Sequence, residues 1–194
     1  MPGISNAGMM MTDPDLAPDG RLLFAAAPAA GLLQLYQASG DAGLETYGNA
    51  SPIGALVSGA EHHFAPFVTR SGDLWFTAWA GALRTVWKAT ASGMGGWGGP
   101  VQQLNALEAS GAVLSDDELT LYVGVNPAGT GKFQVGAVHR SNKTVPFASP
   151  VTTLAGIPAD GGLSTEPSWI SADGCRLYFF RTDATHAEMW LGTR

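Results

Sequence analysis

The chain has 194 residues, 45% of them hydrophobic and only 13% charged, enough apolar material for one domain with a substantial core. Its formal net charge of −6 and its scattered Lys88, Lys132 and Lys143 form no basic stripe, which argues against a nucleic-acid backbone as partner. No apolar run approaches the ~20 residues of a membrane-spanning helix, and residues 1–11 show no basic segment followed by an apolar one, so neither a span nor a signal peptide is expected within the chain.

The elements follow one another as short strands separated by glycine- and proline-bearing turns. A strand ending at Leu16 turns at Asp19-Gly20 and returns through Leu23 and Phe24. A third strand is expected over Leu32–Ala38, and a looser fourth between Tyr47 and Leu56. The same order recurs from His62. Val68, a turn at Ser71-Gly72, Trp75 and Phe76 come first, then Leu83–Ala89, then a fourth strand within Trp97–Leu104. A third round has Leu114, a turn at Asp117-Glu118, Leu121 and Tyr122, then Phe133–Arg140 and Phe147–Leu154. The last has Ile170, a turn at Asp173-Gly174, Leu177 and Tyr178, then a strand from Glu188 onward.

Residues 16–24, 68–76, 114–122 and 170–178 align without gaps, and their turns lie 52, 46 and 56 residues apart. That period suits a four-stranded propeller blade. Adjacent strand positions point to opposite faces, yet Leu23 with Phe24, and Trp75 with Phe76, are both apolar, so the sheets must be covered on both sides. Radial stacking of blades covers both faces, whereas a two-layer sandwich leaves one wet. The expected fold is therefore all-β: a β-propeller of four recognisable blades spanning about 9–56, 61–104, 108–154 and 163–194. It forms a single domain over 1–194, with Phe24, Phe76, Tyr122 and Tyr178 buried. Trp75, Trp87, Trp97, Trp169 and Trp190 are expected to pack between blades, and Cys175 to be a small buried strand residue. The fourth blade lacks an outer strand in sequence, and Pro2-Gly3-Ile4 aligns with the linker Ala155-Gly156-Ile157. An open ring is expected, either part of a larger propeller or one that self-associates through its terminal blades.

The run from Pro14 through Asp19-Gly20 and the run from Pro167 through Ser171, Asp173 and Gly174 resemble the TolB-type, WD-like β-propeller repeat of bacteria. Its core reads Pro-x-aliphatic-Ser-x-Asp-Gly-x-x-Leu-aromatic-Phe. The second copy departs from it with Arg70-Ser71-Gly72, and the third with Asp116-Asp117-Glu118. The resemblance covers nearly the whole chain. It implies a periplasmic or secreted setting and a family of binding proteins, peptidase-associated propellers and polysaccharide lyases, so it speaks to fold more than to function.

His62-His63 opens the innermost strand of the second blade, where side chains can face the mouth of a propeller channel. Met10-Met11, Ser110 and Thr165-Glu166 fall at equivalent places, with Asp13 close by. Imidazoles and carboxylates converging there could hold a metal or act as acid and base. Adjacent histidines on a strand diverge, however, so a polar mouth with no bound metal is expected. His139 and His186 are poorly placed to contribute. Trp79 is expected in a rim loop, where it could stack on a sugar or on an apolar patch of a partner. The aspartates around Asp15 and Asp19 lack calcium-loop spacing, Gly129-Thr-Gly-Lys132 lacks the rest of a phosphate loop, and no serine sits in a nucleophile elbow. The leading reading is a non-catalytic module binding a protein or glycan without cofactor, with Asp13, His62, His63, Glu166 and Trp79 as its binding residues. The alternative is a carbohydrate-active lyase or hydrolase using His62 or His63 with Glu166 or Asp13.

Overall fold

The computed structural model describes residues 9–28, 31–41, 46–53, 56, 62–92, 95–104, 107–126, 129–148, 150–157, 163–183 and 185–194. The aligned Pro2-Gly3-Ile4 lies outside them. The described residues contain no helix, and four antiparallel sheets form the blades of a β-propeller. Blade 1 orders β1 (Met9–Leu16), β2 (Leu22–Pro28), β3 (Gln34–Ala38) and, past the small hairpin β4 (Gly40–Asp41) and β5 (Thr46–Tyr47), β6 (Ser51–Pro52). Blade 2 has β7 (His62–Val68), β8 (Leu74–Ala80), β9 (Leu83–Ala89) and β12 (Val101–Gln103), with the hairpin β10 (Ala91–Ser92) and β11 (Gly96–Trp97) between the last two. Blade 3 has β13 (Ala109–Leu114), β14 (Thr120–Val125), β15 (Gln134–His139) and β16 (Thr152–Thr153); blade 4 has β17 (Ser164–Ile170), β18 (Arg176–Thr182) and β19 (Ala187–Thr193). Two compact units result, Met1–Leu83 with Trp87–Val101, and Arg84–Val86 with Gln102–Arg194.

The turn between the first two strands of each blade decides its register. In blades 1 and 2 the loop has three residues: Ala17 N–H donates to Arg21 O (2.8 Å) and Thr69 N–H to Asp73 O (3.0 Å). In blades 3 and 4 it has four, closed by Ser115 N–H to Thr120 O (3.0 Å) and Ser171 N–H to Arg176 O (2.9 Å). A Ser-x-Asp staple holds the wider loop. The Ser115 and Ser171 hydroxyls donate to Asp117 and Asp173 Oδ1 at 2.6 and 2.5 Å, and accept from Thr120 and Arg176 N–H, each at 2.9 Å. Blade 1 has Ala17 at that position and cannot form it. Each loop carries one left-handed residue, Gly20, Gly72 and Gly174 in three blades but Glu118 in blade 3 (φ 56°).

The extra residue shifts the pairing by one. Leu16 and Val68 pair with Leu22 and Leu74, but Leu114 and Ile170 pair with Leu121 and Leu177. A one-residue shift moves side chains to the other face. The gap-free column of Phe24, Phe76, Tyr122 and Tyr178 is therefore not one structural position. Phe24 and Phe76 are matched by Val123 and Phe179, and all four are buried, while Tyr122 and Tyr178 are half-buried. Three further expectations are corrected. Trp169 and Trp190 are 46% and 40% exposed rather than packed between blades. Cys175 is exposed in the turn before β18.

Within each unit, consecutive blades meet through the same contacts. In the first unit Ala17, Leu23, Ala25 and Leu35 of blade 1 share one buried cluster with Val68, Leu74, Phe76, Ala78 and Ala89 of blade 2. A polar clamp secures the upper edge of that cluster: Leu33 N–H donates to His62 Nδ1 (3.1 Å), and Leu33 O accepts from His63 N–H (2.9 Å). In the second unit Phe133 N–H donates to Ser164 Oγ (3.2 Å), and Phe133 O accepts from Thr165 N–H (2.7 Å). Thr165 Oγ1 also accepts from Val135 N–H at 3.0 Å, both groups being buried. Replacing Thr165 by valine keeps the shape but strands that N–H, at a cost of about 1–3 kcal/mol. Urea unfolding is expected to show a lower midpoint with an unchanged m-value; an unchanged midpoint would mean that the clamp adds nothing.

Candidate functional site

The two histidines at the start of β7 diverge, as strand geometry requires. His63 is buried with its ring 5.8 Å from that of Phe76. His62 is half-buried and pairs across the strands with Trp79, their ring centroids 5.2 Å apart and tilted by 34°. Trp79 is thus a residue of β8 and not of a rim loop, a correction to its expected place. Because His62 Nδ1 accepts from Leu33 N–H, the neutral ring carries its proton on Nε2. Ser164 occupies the equivalent position in blade 4 and accepts from Phe133 in the same way. An imidazole replaceable by a hydroxyl at a repeat position is serving the blade interface.

Asp13 lies at a β-bulge in β1, with φ 52°; Ala65 (φ 48°) and Gly111 (φ 58°) mark the matching bulges of β7 and β13. The bulge aims two carboxylates of β1 at β7. Asp13 Oδ2 accepts from Ala65 N–H at 3.4 Å and Asp15 Oδ2 from Val68 N–H at 2.9 Å. Burial raises both carboxyls, Asp15 to about 6, with the backbone hydrogen bonds opposing the rise. Asp15 escaped the sequence reading, although its signal was there: Phe67, Val113 and Trp169 fill its place in the other copies.

Glu166 belongs to the second unit. Its Oε2 accepts from Ser110 Oγ at 2.5 Å, and its Oε1 lies 3.4 Å from Arg84 Nη1, whose guanidinium sits 4.9 Å from the centre of the Phe133 ring. A Cβ at Gly124 would come within 3.0 Å of Glu166 Cγ, so a glycine there makes room for the carboxylate side chain. Ser110 is fully buried, inaccessible to a substrate. Arg84 is the member of this network that sequence reasoning missed. The network balances a charge between packed strands, and each partner orients the other.

Among the described residues no three His, Cys, Asp or Glu side chains gather closely enough to hold a metal ion. The first unit does present apolar surface at the end where its inner strands begin. Met10, Met11, Leu32 and Leu83 are exposed there, and the half-buried His62–Trp79 pair lies at the same end. The corresponding loops of the second unit are polar: Asn126 donates to Glu108 (2.6 Å) and caps Thr130 N–H (2.9 Å), and Asp183 accepts from Thr185 and His186 N–H. No helix among the described residues is long and apolar enough to cross a membrane. Compared with protein-family models the chain finds no match, and compared with curated proteins it finds none either.

The raised carboxyl of Asp15 makes a prediction about stability. Its folded value near 6 exceeds its ordinary 3.8, so the folded chain keeps a proton that the unfolded chain releases. Stability from this group is full below about pH 4 and is lost as pH rises through 6, by at most about 3 kcal/mol and less for a half-exposed group. Asp13 shifts the same way and adds to the slope. Denaturation midpoints from pH 4 to 8 should decline in the wild type and flatten in Asp15→Asn, which is expected to be the more stable protein at pH 7.

Proposed function

We propose that this chain is a non-catalytic binding module of the TolB-type, WD-like repeat class, presenting one end of its first two blades to a protein or glycan ligand. One observation carries the reading: Met10, Met11, Leu32 and Leu83 are exposed at the end of the first unit that also holds the His62–Trp79 ring pair. Methionine and aromatic residues are enriched at the centres of protein interfaces, and exposed apolar clusters mark binding sites. The shortage of hydroxyl-binding groups among these residues favours a protein ligand. Trp79 supports the glycan form, since a half-exposed indole can stack on a sugar ring. For the repeat class, the support is the Ser-x-Asp staple of the turns at Asp117 and Asp173, which gives the repeat's Ser and Asp a structural task. Self-association through the terminal blades belongs to the same reading.

A carbohydrate-active enzyme is the alternative class, favoured by the raised carboxyls of Asp13 and Asp15. Burial against β7 accounts for both shifts. His62, Asp13 and Glu166 each already hold a hydrogen-bond partner within the fold.

Phage-displayed peptides and an array of neutral glycans are suitable probes. Peptide binders are expected, with affinity falling about tenfold or more in Leu32→Ser and in Leu83→Ser, exposed positions whose replacement spares the core. Glycan binding lost in Trp79→Ala, with an unchanged circular dichroism spectrum, would assign the ligand to sugars. Binders indifferent to all three substitutions would end the reading.

A further inference from the structure

In each unit the first blade's trailing face meets the second blade's leading face, the leading face being the one on the side of the preceding blade. The two described blade interfaces show what these faces bury. On trailing faces, Leu35 of β3 and Val135 of β15 are both 1% exposed. On leading faces, His63 and Val68 of β7, and Thr165 and Ile170 of β17, are buried.

Two faces break this pattern. With the registers above, Met189 of β19 takes the place of Leu35 and Val135, yet it is 60% exposed. Leu191 and Trp169 lie on the same face and are 48% and 46% exposed. Tyr178 pairs with both Trp169 and Leu191, and Phe180 pairs with Met189, so five apolar side chains form one trailing surface. On the leading face of blade 1, Met11 and Leu16 stand where His63 with Thr165, and Val68 with Ile170, are buried. They are 44% and 52% exposed. Behind them Leu22, Phe24 and Ala26 are buried under Tyr36 and Tyr47.

The backbone keeps its half of the clamp on the trailing face. Ala187 matches Leu33 and Phe133. Arg194 N–H donates to Cys175 O and Asp183 N–H to His186 O, so even-numbered residues of β19 bond to β18 and the N–H and C=O of Ala187 point away from it. On the incoming side Met11 N–H matches the His63 and Thr165 N–H groups that bond to Leu33 and Phe133. The side-chain half is absent, because Met10 offers a thioether where His62 and Ser164 accept.

We propose that the trailing face of blade 4 binds the leading face of blade 1 of a second copy of this chain, head to tail, reproducing the internal blade interface. What covers the Met189 surface is inferred from its two internal counterparts, each covered by the inner strand of a following blade. Among the described residues, β1 is an inner strand whose leading-face residues Met11 and Leu16 are exposed. The contact is heterologous, so it joins two different surfaces and can propagate. The inference deepens the self-association named in the proposed reading and shares Met10 and Met11 with its ligand surface, so its test uses Met189 and Leu16, which that surface does not include.

Light scattering coupled to size exclusion tests it with two charge substitutions at exposed positions, Met189→Glu on one face and Leu16→Glu on the other. The wild type is expected to run above its 20.1 kDa monomer mass, increasingly so at higher concentration. Each variant alone is expected to be monomeric, with an unchanged circular dichroism spectrum and melting profile. Mixed together, they should form a one-to-one dimer that grows no further, because each supplies the face the other has lost. A wild type that stays monomeric at high micromolar concentration overturns the proposal, as does a mixture that fails to pair. Variants that associate like the wild type would place any contact elsewhere and also overturn it.

Discussion

Everything in this fold depends on how one blade holds the next. A propeller sheet is apolar on both faces, so no blade can be stable alone, and the interface must fix both distance and register. Apolar packing supplies most of the burial but little direction. Direction comes from a single residue at the entry to the third strand, Leu33 or Phe133, gripped through both its N–H and its C=O by the inner strand of the following blade. Those backbone groups would otherwise be buried without partners, which makes the clamp costly to lose and explains why it recurs with different side chains.

That constraint changes the meaning of the polar residues along the inner strands. His62 stood out in the sequence because histidine pairs are rare and chemically able. In the fold it does what Ser164 does, accepting one backbone hydrogen bond. Asp13 and Asp15 reach across to β7 in the same spirit, and their raised carboxyls record how poorly solvated that crossing is. Glu166 is balanced by Arg84 and bonded to Ser110. A perturbed carboxyl signals either chemistry or structure, and here the neighbours are backbone N–H groups of a packed strand, which points to structure.

The blade number, the strand order and the two-sided apolar character of the sheets were legible in the sequence because they follow from periodicity and from turn residues with fixed geometry. The register of blades 3 and 4 was not. A four-residue loop replaces a three-residue one without any gap in the alignment, since the added residue is taken from the strand that follows. In a half-solvated sheet such a shift would put polar side chains into the core and betray itself. Here both faces are apolar, so Tyr122 and Val123, or Tyr178 and Phe179, can exchange faces without an obvious conflict. The hint lay in the serine of Ser115-x-Asp117 and Ser171-x-Asp173, whose hydroxyl stabilises the longer loop; Ala17 and Thr69 stand in its place elsewhere. Asp15 and Arg84 were missed for a related reason: their partners are a backbone N–H and a carboxylate far away in sequence, invisible to local pattern.

Methionine placement ties the exposed surfaces together. Met11 and Met189 occupy positions that hold buried residues in neighbouring blades, and Met10 stands where His62 and Ser164 anchor the clamp. An unbranched thioether side chain is apolar enough to line an interface and flexible enough to lie along its own strand when that interface is open. Methionine at these points is a compromise between covering a face and exposing it. Both faces thereby stay apolar while the clamp strands inside each unit remain closed.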